Sequence, residues 1–279
     1  MKAKKLLTLL PVLALAACGG AKPLTQEQAV ERANQILAAQ ESITEVPSTF
    51  KVVEHFDQVN VDGETTETTD ITNTIVVANQ FVSFSQHAQI VGEQSVAQDL
   101  TVWAYVKDNA VTLAVSQDGV GRYMSQEIPA GVEIGTAELD SSVASLLGEE
   151  SLLADYDLDY FKTPDLLAGV ANLWLTEEEI AATGFQTYEV HASSKGEGHI
   201  ALAREGGVSM TEEGITMAIE VTEEYVFNNN LLTSYVSYLS ESMSMEGYVS
   251  SSVTNETVTI AYSAKAAYPN LSTFTPVGA

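Results

Sequence analysis

Apolar residues recur at every second position along most of this chain, and that period restricts its fold more than any other feature. A period of two puts alternate side chains on opposite sides of an extended backbone. The clearest run is Ile215–Val221: Ile215, Met217, Ile219 and Val221 point one way, and Thr216, Ala218, Glu220 and Thr222 point the other. Phe50, Val52, Glu54 and Phe56 alternate with Lys51, Val53 and His55 in the same manner. Val258, Ile260 and Tyr262 oppose Thr257, Thr259 and Ala261. One-sided alternation marks an antiparallel sheet with one dry face and one wet face.

Turn residues cut these stretches into hairpins. Asp62-Gly63, Asn79-Gln80, Asp108-Asn109 and Gln117-Asp118-Gly119 separate the strands of the first half. Lys195–Gly198 and Asn228–Asn230 do so in the second half. Asn255-Glu256 predicts a last turn, with separate strands at Tyr248–Val253 and Val258–Tyr262. About ten strands result, near the upper end of usual sheet size.

Two regions break the period. Leu24–Ala39 reads as a helix, with Thr25 as N-cap, Gln28 completing a capping box and Leu24 stapling onto Ala29. Its stripe is Ala29, Val30, Ala33, Ile36 and Leu37. Thr136–Leu175 loses the alternation and carries Leu pairs, a Thr163-Pro164 helix start and a stripe of Leu167, Val170, Ala171 and Trp174. It is expected to be a helical insertion lying over the sheet.

The N-terminus predicts a membrane address. Lys2, Lys4 and Lys5 precede an apolar run from Leu6 to Ala17, which is the order of a signal peptide. The run is too short to span a bilayer as a helix of about 20 residues. It ends in Leu15-Ala16-Ala17-Cys18, which resembles the bacterial lipobox. That resemblance implies cleavage before Cys18 and lipidation of its thiol. The expected organisation is a signal peptide at 1–17, a lipidated N-terminus and linker at 18–23, and one domain at 24–279. The expected location is the outer face of the cytoplasmic membrane, or the outer membrane if the host has one.

Charge narrows the partners. The signal segment removes three of 12 basic residues and none of 38 acidic ones, so the mature chain carries 9 against 38, a formal −29. That excess opposes nucleic-acid phosphates and anionic headgroups. Cys18 is the only cysteine, so no internal disulfide forms.

No recognisable catalytic set stands out, and no cofactor is expected. His55, His87, His191 and His199 lie on separate strands without ligand spacing. Asp155-Tyr156-Asp157-Leu158-Asp159 has the alternating acids of a calcium loop, but Tyr160 and Leu166 replace its Gly and Glu. Ser48-Thr49-Phe50-Lys51 matches Ser-x-x-Lys without the companion motifs.

The order of elements resembles the LolA/LolB/LppX group. Ile180–Val190 is similar to that group's Gly-x-x-Thr-Tyr strand entry, Tyr225–Ser234 to its hairpin, and Tyr268-Pro269-Asn270-Leu271 to its closing segment. The resemblance implies a curved half-barrel, partly closed by helices, that holds lipid or lipoprotein acyl chains.

The fold expected is therefore α+β: one large curved antiparallel β-sheet, a half-barrel, with helices 25–39 and 136–175 covering its concave face. The function expected is a non-enzymatic, membrane-anchored lipoprotein binding a lipid or other apolar ligand. The expected ligand residues are Trp103, Met217, Ile219, Val236, Tyr238 and Ile260, since flexible Met and flat aromatics suit an apolar pocket. The alternative is an envelope interaction protein with a filled core.

Overall fold

The computed structural model describes residues 25–92, 95–162, 187–196, 199–212, 214–228 and 230–277. The expected signal peptide, Cys18, the Thr163-Pro164 helix start and the whole Leu167, Val170, Ala171 and Trp174 stripe lie outside them.

The chain forms two antiparallel meanders. The first comprises β1 (Phe50–Asp62), β2 (Thr65–Ala78), β3 (Phe81–Val91), β4 (Val96–Lys107), β5 (Ala110–Gln117) and β6 (Val120–Glu127). The second comprises β7 (Thr187–Gly196), β8 (His199–Glu212), β9 (Ile215–Asn228), β10 (Leu231–Met245) and β11 (Tyr248–Ala261). With a short β12 (Thr275–Pro276) they join into one open 12-stranded sheet, in the order β12-β6-β5-β4-β3-β2-β1-β11-β10-β9-β8-β7. The seam is the antiparallel β1–β11 pair, which runs from Lys51 opposite Ala261 to Asp62 opposite Ser250. β12 runs parallel to β6.

The turns form where the sequence places residues that tolerate positive φ. Asp108 and Asn109 take φ of 51° and 61°, and Asp118 and Gly119 take 49° and 81°. Two consecutive positive values suit the tight hairpin turns whose twist matches that of the strands.

One predicted turn does not form. Asn255 and Glu256 lie inside β11, opposite Asp57 and Phe56 on β1 and opposite Tyr238 and Ser237 on β10. Neighbours on both sides hold the backbone extended, and the Asn255 amide donates to Asp57 Oδ1 at 3.0 Å. Local turn propensity yields to a central position in the sheet.

The pleat gives the sheet two faces, called front and back here. Phe50, Val52, Ile75, Val77, Val258 and Ile260 share a buried cluster on the front. α1 (Gln26–Gln40) contributes Ile36 to it. The predicted capping box forms: Thr25 N–H donates to Gln28 Oε1 at 3.0 Å, and Gln28 N–H to Thr25 Oγ1 at 3.3 Å.

The described part of the insertion is α2 (Thr136–Leu147), a 3₁₀ turn at Leu153–Asp155 and α3 (Leu158–Lys162). α2 rests on β3 and β4, with Leu139 and Val143 packed among Val82, Val102 and Ala104. Asp140 is buried; it accepts the Ser151 hydroxyl at 2.6 Å and the N–H groups of Leu152 and Leu153 at 3.0 and 3.2 Å. Phe161 of α3 meets Phe50 edge-on at 5.0 Å and Tyr262 at 5.8 Å.

On the back, the segment after β11 lies across the first meander. Tyr268 packs against Phe81 and Tyr105, at 5.5 and 5.0 Å between ring centroids. Phe274 meets Trp103 at 5.9 Å.

Candidate functional site

The six expected ligand residues do not converge. Strand register puts Met217, Ile219 and Ile260 on the front, since Met217 faces Met243 and Ile260 faces Val52. Trp103, Val236 and Tyr238 stand on the back, opposite Ser83, Thr257 and Asn255. One pocket cannot be lined from both sides of a sheet, so the set as a whole is corrected. Trp103 packs against Phe274. Ile260 is 3% exposed in the front core, while Met217 is 45% exposed.

A different arrangement crosses the middle of the front face. Asn73, Glu54, Glu256 and Glu223 come from β2, β1, β11 and β9. Gln86 Nε2 donates to Asn73 Oδ1 at 3.1 Å, and Asn73 stands opposite Glu54. Tyr156 and Tyr160 both donate their hydroxyls to Glu54 Oε1, at 3.0 and 3.1 Å. Glu256 lies opposite Ser237, which in turn lies opposite Glu223. Arg204 is the register partner of Glu223 on β8. The result is a polar belt above the buried core.

Burial governs its electrostatics. Glu256 is pushed above the usual carboxylate range, first by burial and then by the charges of Glu54 and Glu223. Tyr156 and Tyr160 are pushed well above the ordinary phenol value by burial, reinforced by the Glu54 charge. Both phenols therefore stay protonated as donors and tie the insertion to β1. The belt can accept hydrogen bonds and attract positive charge.

Beyond the belt the front face turns partly apolar again. Phe56, Ile71 and Ala88 form one row across β1, β2 and β3. These three, with Ile90, Leu239 and Ile219, are half-buried. Among the described residues, none of the six packs into the buried clusters.

The belt was hidden in the sequence. Glu54 interrupts an apolar phase between Val52 and Phe56, which is the available signal. Glu256 reads in the sequence as a turn residue. His55 and His87 prove to share a row on the back face with Thr72 between them. The Asp99 carboxylate accepts from His87 at 2.5 Å and raises its pKa by that hydrogen bond. His55 Nδ1 lies 3.0 Å from Thr72 Oγ1. No group of three or more His, Cys, Asp or Glu able to hold a metal occurs among the described residues. Two clefts, of about 690 and 490 Å³, lie near α2 and beside the Tyr268–Ser272 segment, and neither is lined by an expected ligand residue. No described helix is long and apolar enough to cross a membrane.

No protein-family model and no curated protein matches this chain. Among solved structures, an outer membrane channel from Pseudomonas putida F1 aligns over 78% of this chain and 97% of its own, at 8% identity and a TM-score of 0.19. The translocator domain of the autotransporter NalP from Neisseria meningitidis aligns over 83% and 95%, at 7% identity and a TM-score of 0.14. Likeness this slight bears on neither fold nor function.

Proposed function

We propose that this chain is a non-catalytic lipoprotein, tethered to the cell envelope through Cys18, that carries an amphiphilic lipid on the front of a curved half-barrel. The lipobox supports the tether. The order of elements, with β1 beside β11 and a helical insertion between the meanders, supports the likeness to the LolA/LolB/LppX group. In this reading α1, α2 and α3 form the cover over the concave face.

One observation carries the ligand reading: the half-buried row Phe56, Ile71 and Ala88 extends past the packed core, directly beside a belt of hydrogen-bonding groups. An acyl chain laid on that row removes apolar area from water, worth about 25 cal/mol per Å² before ordering costs. A head group with donors meets Glu54, Asn73 and Glu256.

Native mass spectrometry of the full-length chain, extracted in mild detergent, tests this. Non-covalent lipid adducts are expected, and Ile71→Glu should remove them. Adducts that persist in the Ile71→Glu variant would show that the lipid sits elsewhere. A second reading is an interaction protein with a filled core. It is favoured by Leu139 and Phe161, both fully buried, which occupy the lower front face with the chain's own side chains. Wild type without any adduct would favour it.

A further inference from the structure

Four of the six methionines gather at one end of the front face. Met217 on β9 is directly opposite Met243 on β10 and Met210 on β8. Met245 follows two residues after Met243, on the same side of β10. Met217 and Met245 are 45% and 47% exposed, and Met243 is half-buried. Nothing in the alternation alone requires this. Strands β8, β9 and β10 must pair in their observed register before the three positions form a row.

The surroundings are wrong for a purely greasy surface. The row continues from Met243 to Ser250, Asp62 and Thr65. Glu241 precedes Met243 on the same face, opposite Ile219. No Lys or Arg stands in this row or in the Glu241 row. An apolar partner would have to desolvate Glu241 at its edge. A cation gains from the same carboxylate.

Methionine presents a soft, polarisable thioether on a chain with three rotatable bonds. Thioethers select soft ions such as copper(I) over magnesium or calcium. Directly opposed Cα atoms lie about 4.5–5.5 Å apart, so neighbouring thioethers rising from one face can reach a common ion. We propose that Met217, Met243 and Met245 form a binding site for a soft monovalent metal ion, copper(I) or silver(I). The site is separate from the lipid row on β1–β3 and does not depend on it. A thioether carries no proton to lose, so its affinity is insensitive to acid. That distinguishes it from imidazole and thiolate sites, whose ligands must be deprotonated.

Silver(I), which needs no reductant, is the probe. It is titrated in chloride-free buffer into the full-length chain carrying Cys18→Ser, which removes the competing thiol. The ¹³C-labelled methionine methyls are followed by NMR. One equivalent should shift the resonances of Met217, Met243 and Met245 while exposed Met124 on β6 stays in place. The paired substitution Met217→Leu and Met243→Leu, close to isosteric and at incompletely buried positions, should weaken binding at least tenfold with the melting temperature unchanged. Affinity should hold from pH 7 to pH 5. Three results would overturn the proposal: Met124 shifting in parallel, undiminished binding in the paired variant, or loss of binding at pH 5, which would place the ion on histidine.

Discussion

Burial and two neighbouring carboxylates disfavour the charge of Glu256 on the front face. Its carboxylate is partly buried and shares that face with Glu54 and Glu223. Tyr156 and Tyr160 donate to Glu54, Arg204 is the register partner of Glu223 on β8, and Tyr225 and Tyr235 stack beside them at 4.8 Å. Folding raises the pKa of Glu256, so the folded state resists its ionisation. Below the ordinary carboxylate pKa both states hold the proton and nothing is lost. As pH climbs through that value and then through the raised folded one, stability falls. Glu256→Gln should therefore melt higher than wild type at pH 7, with the gap closing toward pH 4. Circular-dichroism melts across that range decide it; a gap independent of pH would assign the effect to packing. Gly121 poses a steric case. A Cβ there would sit 2.5 Å from the Phe274 ring. Gly121→Val should cost about 1–3 kcal/mol by overpacking, and should free Phe274 from Trp103. Trp103 fluorescence, read in a Trp174→Phe background, reports the release.

Among the elements, α3 depends on few contacts and can be tested with one substitution. Its five residues are too short to be stable alone. Phe161, 0% exposed, wedges it against Phe50 and Tyr262. Phe161→Ala should lower stability by about 3–5 kcal/mol, measured by urea unfolding, and should uncouple Tyr156 and Tyr160 from Glu54. The turns at Asp62-Gly63, Asp108-Asn109 and Asp118-Gly119 are legible in the sequence because Asp, Asn and Gly accept positive φ whatever surrounds them, whereas Gln80 takes a φ of 52° without that preference. The α1 capping box was legible for the same local reason. Asn255-Glu256 has the composition of a turn, yet the same residue types fit a strand when partners flank both sides.

At the scale of the molecule, the sheet is open and its two edges differ. β6 is partly sealed by β12: Thr275 and Pro276 pair with Arg122 and Tyr123, and Val277 N–H donates to Tyr123 carbonyl at 2.7 Å. Pro276 has no N–H to offer a further strand, which protects that side. A chain ended at Ser263 should expose Trp103, Phe81 and the β6 edge together. Light scattering should then show association at concentrations where the full chain stays monodisperse; an unchanged profile would mean the tail is dispensable. The central seam also joins residues almost 200 apart, as in the 198-residue separation of Asn255 and Asp57. Such non-local pairing predicts slow folding.

Strand identity, most turns and the first helix were set by the sequence, because φ/ψ preference and side-chain alternation act within a few residues. The pleat defines two sides for each strand separately and leaves their phase relative to other strands open. Pairing alone settles that phase, through hairpin register and the β1–β11 seam. That is why Trp103, Val236 and Tyr238 stand behind the sheet from Ile219 and Ile260. It is also why three glutamates meet from strands far apart in the chain, and why a run of methionines lines up across three consecutive strands.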